Sequence, residues 1–296
     1  MRKNVEFKSD GITLKGWLFK PKGRGPFPTA VMAHGFSGVK EMGLDDYAEA
    51  FVAGGLAALV YDNRCLGESG GRPRQDIDPT MQMRDYRAAI TFAQSQRAVD
   101  SERIGVWGTS YTGGTVCAVA ALDRRVKAVV SQVPFMNGHR NLQQFMPVGQ
   151  HADFHKMLDA DRERRASGKQ SEYMTMCSLD PAEPHLFPGE ETYNFIHRYV
   201  DADPKSTWQN RVTLRSLEYM LEYDVTGYMS RISPTPLLMI VSEWDTTTPT
   251  DIALDHYQMV QGPKELMVID SGHYGAYVEK FPETSAAARD WFCRHL

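Results

Sequence analysis

The chain has 296 residues, with 33 Lys and Arg against 37 Asp and Glu, a net charge of −4 and a pI of about 6.1. At 42% hydrophobic and 24% charged it can bury one large core with an insertion, or two cores. That balance advertises no basic face for nucleic acid or anionic membrane, and no apolar run approaches the roughly 20 residues that span a bilayer.

The start of the chain runs straight into a strand pattern, with no apolar signal region. Residues 3–8 and 12–19 read as an antiparallel hairpin around Ser9-Asp10-Gly11. A proline- and glycine-rich loop leads to a short apolar strand at 29–33, ending in His34-Gly35-Phe36. A helix at 46–53 closes on Gly54-Gly55, and 56–61 is the next buried strand. An amphipathic helix follows at 81–94, then a strand at 103–107, an apolar helix at 115–122 and a strand at 126–133. These strands are continuous apolar runs, which predicts a mostly parallel sheet covered on both faces. The rhythm stops at Pro134. Residues 135–233 hold helical pieces at 142–144, 152–165, 190–199 and 214–223, separated by proline and glycine. Alternation resumes with a strand at 236–241, a helix at 251–259, a strand at 266–269 and a helix at 283–291. The expected organisation is a sheet core of residues 1–134 and 234–296, with 135–233 inserted as a mainly helical cap.

Between the strand at 103–107 and the helix at 115–122 lies Gly108-Thr109-Ser110-Tyr111-Thr112-Gly113-Gly114. A serine on a glycine-flanked strand-to-helix turn is the signature of a nucleophile elbow. A side chain at position 108 would collide with the incoming helix. Thr112 departs from G-x-S-x-G; here the second glycine comes one place later. A serine nucleophile needs a base and a carboxylate that orients it. In an open parallel sheet such groups lie just beyond the carboxyl ends of strands. Asp245 and His273 stand there, and the order Ser, Asp, His matches the order known for this elbow. Glu243 is the rival acid. The expected oxyanion donors are the backbone N–H groups of Tyr111, at a helix start, and of Phe36, after Gly35. His34 is read as a residue that holds this loop.

His34-Gly35-Phe36, Tyr61-Asp62-Asn63-Arg64 with Gly67-Glu68-Ser69-Gly70-Gly71, the elbow, Asp245 to Pro249 and Gly272-His273 together resemble the α/β-hydrolase superfamily. Within it the chain is similar to the bacterial and fungal branch related to dienelactone hydrolases and X-prolyl-peptidase-type esterases. Cys65 stands where that branch usually has glycine, and Thr112 replaces the elbow glycine. The resemblance implies the α/β-hydrolase fold. Ser110, His273 and Asp245, with the aromatic cap, lead us to expect a serine hydrolase of a carboxylic ester, lactone or thioester with a bulky apolar or aromatic acyl group, with acyl transfer and a non-hydrolytic binding protein as alternatives. A fold of this kind does not name a substrate.

His151 and His155 have the i, i+4 spacing of a zinc pair, but no third ligand accompanies them, so neither metal nor cofactor is expected. Cys117 falls inside an apolar helix and reads as packing. Cys65, Cys117, Cys177 and Cys293 show no C-x-x-C spacing and are expected to stay reduced in a cytoplasmic protein. The cap is rich in aromatic and methionine residues. Phe145, Phe154, Trp208, Tyr219 and Tyr223 are the candidates there to line an apolar substrate pocket. The expected partner is a small-molecule substrate, with a homodimer left open.

Overall fold

A computed structural model describes residues 1–187 and 189–296. Strands β1 (Arg2–Ser9) and β2 (Ile12–Phe19) pair antiparallel. There follow β3 (Phe27–Ala33), α1 (Leu44–Ala53), β4 (Ala57–Tyr61), α2 (Pro79–Gln94), β5 (Val99–Thr109), α3 (Tyr111–Leu122) and β6 (Val126–Gln132). After β6 come α4 (Gly138–Phe145), α5 (Val148–Ala166), β7 (Tyr173–Thr175), α6 (Glu190–Val200), β8 (Arg211–Thr213), α7 (Leu214–Glu222) and α8 (Thr226–Met229). The chain then returns through β9 (Leu237–Ser242), α9 (Thr250–Gln258), β10 (Lys264–Ile269) and α10 (Phe281–His295).

Eight strands form one sheet in the order β1-β2-β4-β3-β5-β6-β9-β10. The first two pairings, β1 with β2 and β2 with β4, are antiparallel; the rest are parallel. The continuous apolar runs have a simple cause. Successive side chains of a strand point to opposite faces. Leu59 and Tyr61 of β4 enter the core under α2 and α3, while Ala58 and Val60 enter the core under α1 and α10. Both faces are dry, so every position is apolar. Helix α3 is buried nearly all round, which explains its lack of any polar stripe. No described helix is long and apolar enough to cross a membrane.

One element was not anticipated. Residues 173–175 and 211–213 pair as a separate two-stranded antiparallel sheet between the helices that follow β6. Strands of three residues are too short to show a period of two in sequence.

Candidate active site

Ser110 links β5 to α3 with φ 54° and ψ −121°, a region that L residues rarely adopt. Its neighbours hold it there. Its N–H donates to Gln132 O at 2.9 Å, and its own carbonyl accepts from Phe135 N–H at 2.8 Å. A Cβ at Gly108 would stand 2.1 Å from the Thr112 carbonyl oxygen, so no side chain fits there. Thr112 is fully buried where glycine is usual. Its hydroxyl accepts from Thr109 N–H at 3.0 Å and donates to Ala33 O at 2.9 Å, tying the elbow to β3. The steric limit passes to Gly113, whose Cβ would lie 2.9 Å from Gln132 O.

Three strand ends converge beside this serine. His273 begins the single 3-10 turn after β10, and Asp245 lies in the turn after β9. His273 Nε2 is 3.1 Å from Ser110 Oγ, and His273 Nδ1 is 2.7 Å from Asp245 Oδ2. A carboxylate only accepts, so Nδ1 carries the proton and Nε2 faces the serine as acceptor. Asp245 also accepts from the N–H groups of Thr247 at 2.9 Å and Thr248 at 2.7 Å. The Thr248 hydroxyl lies 2.9 Å from Asp245 Oδ2, 3.1 Å from His273 Nδ1 and 3.0 Å from Val133 O. Val133 has φ 37°, rare for a β-branched residue, and this turns its carbonyl toward that hydroxyl. Glu243, the rival acid, is exposed to solvent.

Tyr111 is the first residue of α3, so its N–H has no acceptor within the helix. Phe36 follows a loop fixed by His34. Asn63 N–H donates to His34 Nε2 at 3.2 Å, which leaves Nδ1–H to donate to Gly35 O at 2.9 Å. Burial holds the His34 pKa below its usual value, which suits this neutral ring. The Phe36 and Tyr111 rings meet edge to face at 6.0 Å.

Two apolar clefts meet at Ser110. The first is bounded by Asn141, Leu142, Phe145, Phe154, Leu217 and Met220. The second contains His273 and is bounded by Met176, Phe195, Trp208, Tyr274 and Tyr277. Phe36, Ser110, Phe187 and Thr247 belong to both and form the divide between them.

Of the five aromatic residues expected around substrate, Phe145 and Phe154 face the first cleft and Trp208 faces the second. Tyr219 and Tyr223 require correction, because they lie in a separate surface cleft with Asp78 and Glu222. The Tyr223 ring packs on Phe135 and Tyr111, with its hydroxyl 3.3 Å from Thr115 Oγ1. Tyr219 turns toward Arg215. Asn141 and Leu217 also line the first cleft and lie outside the aromatic and methionine set, to which Met220 belongs. Their signal was the spacing Asn141, Leu142, Phe145 on α4 and Leu217, Met220, Leu221 on α7, each one helix face. Thr248 stood inside a quoted motif, but only folding shows that it reaches the acid.

His151 and His155 do not form a ligand pair. His151 Nε2 bonds to Met146 O at 3.0 Å, and His155 is exposed. Among the described residues one trio of carboxylates has metal-like spacing: Glu41, Asp62 and Glu68. Lys40 Nζ occupies its centre, at 2.6, 2.8 and 2.7 Å from the three. All four cysteines are free. Burial pushes the Cys117 thiol pKa up to about 12, the reverse of an activated nucleophile.

Residues 10–275 match the family described as X-Pro dipeptidyl-peptidase (S15 family). The thiohydrolase aneE of Aspergillus aculeatus is 32% identical over 279 residues, covering 92% of this chain and 86% of its own. The polyketide transferase grgF of a Penicillium species is 31% identical over 275 residues, covering 92% and 89%. The crystal structure of the α/β hydrolase GrgF from Penicillium sp. sh18 superposes with a TM-score of 0.83 at 28% identity, covering 100% of this chain and 99% of the other. The chain is thus a member of the X-Pro dipeptidyl-peptidase (S15) family and a serine hydrolase of the α/β-hydrolase fold.

Proposed function

We propose that Ser110, His273 and Asp245 cleave an ester or thioester of a bulky apolar acyl group through an acyl-enzyme. Ser110 Oγ attacks the carbonyl carbon while His273 Nε2 takes its proton, and Asp245 steadies the imidazolium that results. The Phe36 and Tyr111 N–H groups receive the oxyanion. Collapse breaks the bond to the alcohol or thiol, which leaves with the proton from Nε2. Water then enters by the reverse path and releases the acid. The observation that carries this reading is the meeting of the hydrogen-bonded serine, histidine and aspartate with two apolar clefts.

The side on which each part of the substrate sits follows from the proton. His273 must reach the leaving group, and it lines only the second cleft. The acyl chain therefore occupies the first cleft, and the leaving or entering group the second. An amino-terminal dipeptide substrate would bring a free ammonium, which needs an acidic partner. Neither cleft has Asp or Glu among its described lining residues. This supports esters and thioesters over peptides, as do the names of relatives called thiohydrolases. Acyl transfer is the second reading. It is favoured by the aromatic second cleft, which suits an apolar acceptor, and by relatives named polyketide transferases.

We assign residues 135–233 the role of a lid that sets acyl preference, because α4, α5 and α7 supply much of the first cleft. With four free cysteines, three of them buried, the cytoplasm is the compartment we propose. The test is a matrix of p-nitrophenyl esters and acyl thioesters of rising acyl size, with Ser110→Ala as blank, repeated with an added aromatic alcohol. Turnover of the bulky esters and thioesters by the parent protein alone supports the assignment. No acyl-enzyme by mass spectrometry with any of them refutes it. Ester product formed with the added alcohol selects transfer.

A further inference from the structure

Away from Ser110 lies a cleft between the loop at 72–74, the end of α5 and the small β7–β8 sheet. Its wall carries Arg72, Arg74, Arg165, Lys169, Arg211 and Arg215, and no acidic residue is among those that line it. Two of these cations are neutralised from behind. Arg215 binds Asp76 through Nε and Nη2, both at 2.6 Å, and Arg165 pairs with Asp161 and Glu218. The other four, Arg72, Arg74, Lys169 and Arg211, make no ion pair among the described residues. A chain with a net charge of −4 thus gathers four uncompensated cations in one concavity.

Two of the four are also held in place. Arg74 donates to the carbonyls of Gly67 and Ser69, which orient a guanidinium without cancelling its charge. Its own carbonyl accepts from the Tyr173 hydroxyl at 3.1 Å. Arg211 lies over the Tyr173 ring at 4.4 Å and is steadied by the neutral Gln209 amide oxygen at 3.0 and 3.2 Å. Like charges crowded without a counter-ion repel one another, and fixing them costs further entropy. Fixed guanidinium forks match the oxygens of phosphate, and one carboxylate would leave most of this charge unmet. We propose that this cleft is a binding site for a phosphate-bearing small anion, separate from the acyl site. A diphosphate or a phosphorylated handle on a substrate shares the chemistry that the cleft recognises.

The experiment is calorimetric titration of the full chain with inorganic pyrophosphate and, separately, with coenzyme A, at two salt concentrations. Binding of either that weakens with salt supports the site. Coenzyme A bound much more tightly than pyrophosphate identifies a carried handle, and equal binding identifies the phosphates alone. Arg211→Ala and Lys169→Ala should each weaken binding about tenfold or more. Arg103→Ala, outside the cleft and paired with Asp100, should leave it unchanged. Lys169 is exposed, so its variant keeps the test open if Arg211→Ala fails to fold. No heat with either ligand at millimolar concentration overturns the proposal. So does binding that both cleft variants retain, or a poly-glutamate peptide that binds more tightly than pyrophosphate.

Discussion

Replacing Ser110 by glycine should give a more stable protein than replacing it by alanine. Both changes remove the hydroxyl, and both should be inactive, so they differ only in a Cβ. With φ 54° and ψ −121°, Ser110 sits where an L side chain costs about 1–3 kcal/mol, and glycine escapes that cost. Glycine returns about 0.4–1 kcal/mol through the entropy of the unfolded chain. The difference left is about 1 kcal/mol in favour of glycine. For a chain of this size that moves the thermal midpoint by about 2–4 °C. Urea unfolding followed by circular dichroism gives the free energy, and a thermal scan checks the sign. The backbone bonds to Gln132 and Phe135 are common to both variants and cancel in the comparison. Alanine equal to or more stable than glycine would refute the view that the elbow is strained and held by its surroundings.

Asp245→Asn should lower kcat about 10⁴-fold, as the equivalent change does in a serine protease triad, while Glu243→Gln leaves it unaltered. Steady-state rates on one ester decide between the two acids. Phe145→Ala should change preference among acyl groups by about 10–200-fold and Trp208→Ala should change preference among leaving groups instead, read as kcat/KM across an acyl-by-alcohol matrix. The reverse pattern would exchange the two clefts. The depressed pKa of His34 means that the folded state binds its proton less readily than the unfolded state. Its contribution is therefore complete above the ordinary histidine value of about 6.5 and declines as pH falls below it. Unfolding measured from pH 7.5 to 5 should show that loss, and His34→Gln should flatten it.

Much of the candidate site was legible because its residues are tied to strand ends. A serine after β5, an acid after β9 and a histidine after β10 can be placed by counting apolar runs, and each run is apolar because the sheet is covered on both faces. Gly108 was legible for a steric reason, and the structure puts its missing Cβ against Thr112 O. Thr112 looked like a defect in the motif. Only the fold shows that Gly113 takes up the steric role, while the Thr112 hydroxyl bonds to β3.

The pocket was a different matter. Phe145 and Tyr223 look equivalent in sequence, yet one faces Ser110 and the other is stacked behind Phe135. The cationic cleft was invisible too, since Arg72, Lys169 and Arg211 lie in three separate segments. Strand periodicity and turn chemistry are local, so the sequence by itself determined the sheet, the elbow and the residues at the strand ends. Which aromatic rings reach Ser110, and which cations share a cavity, depends on how helices from distant segments pack, and only the tertiary structure decides that.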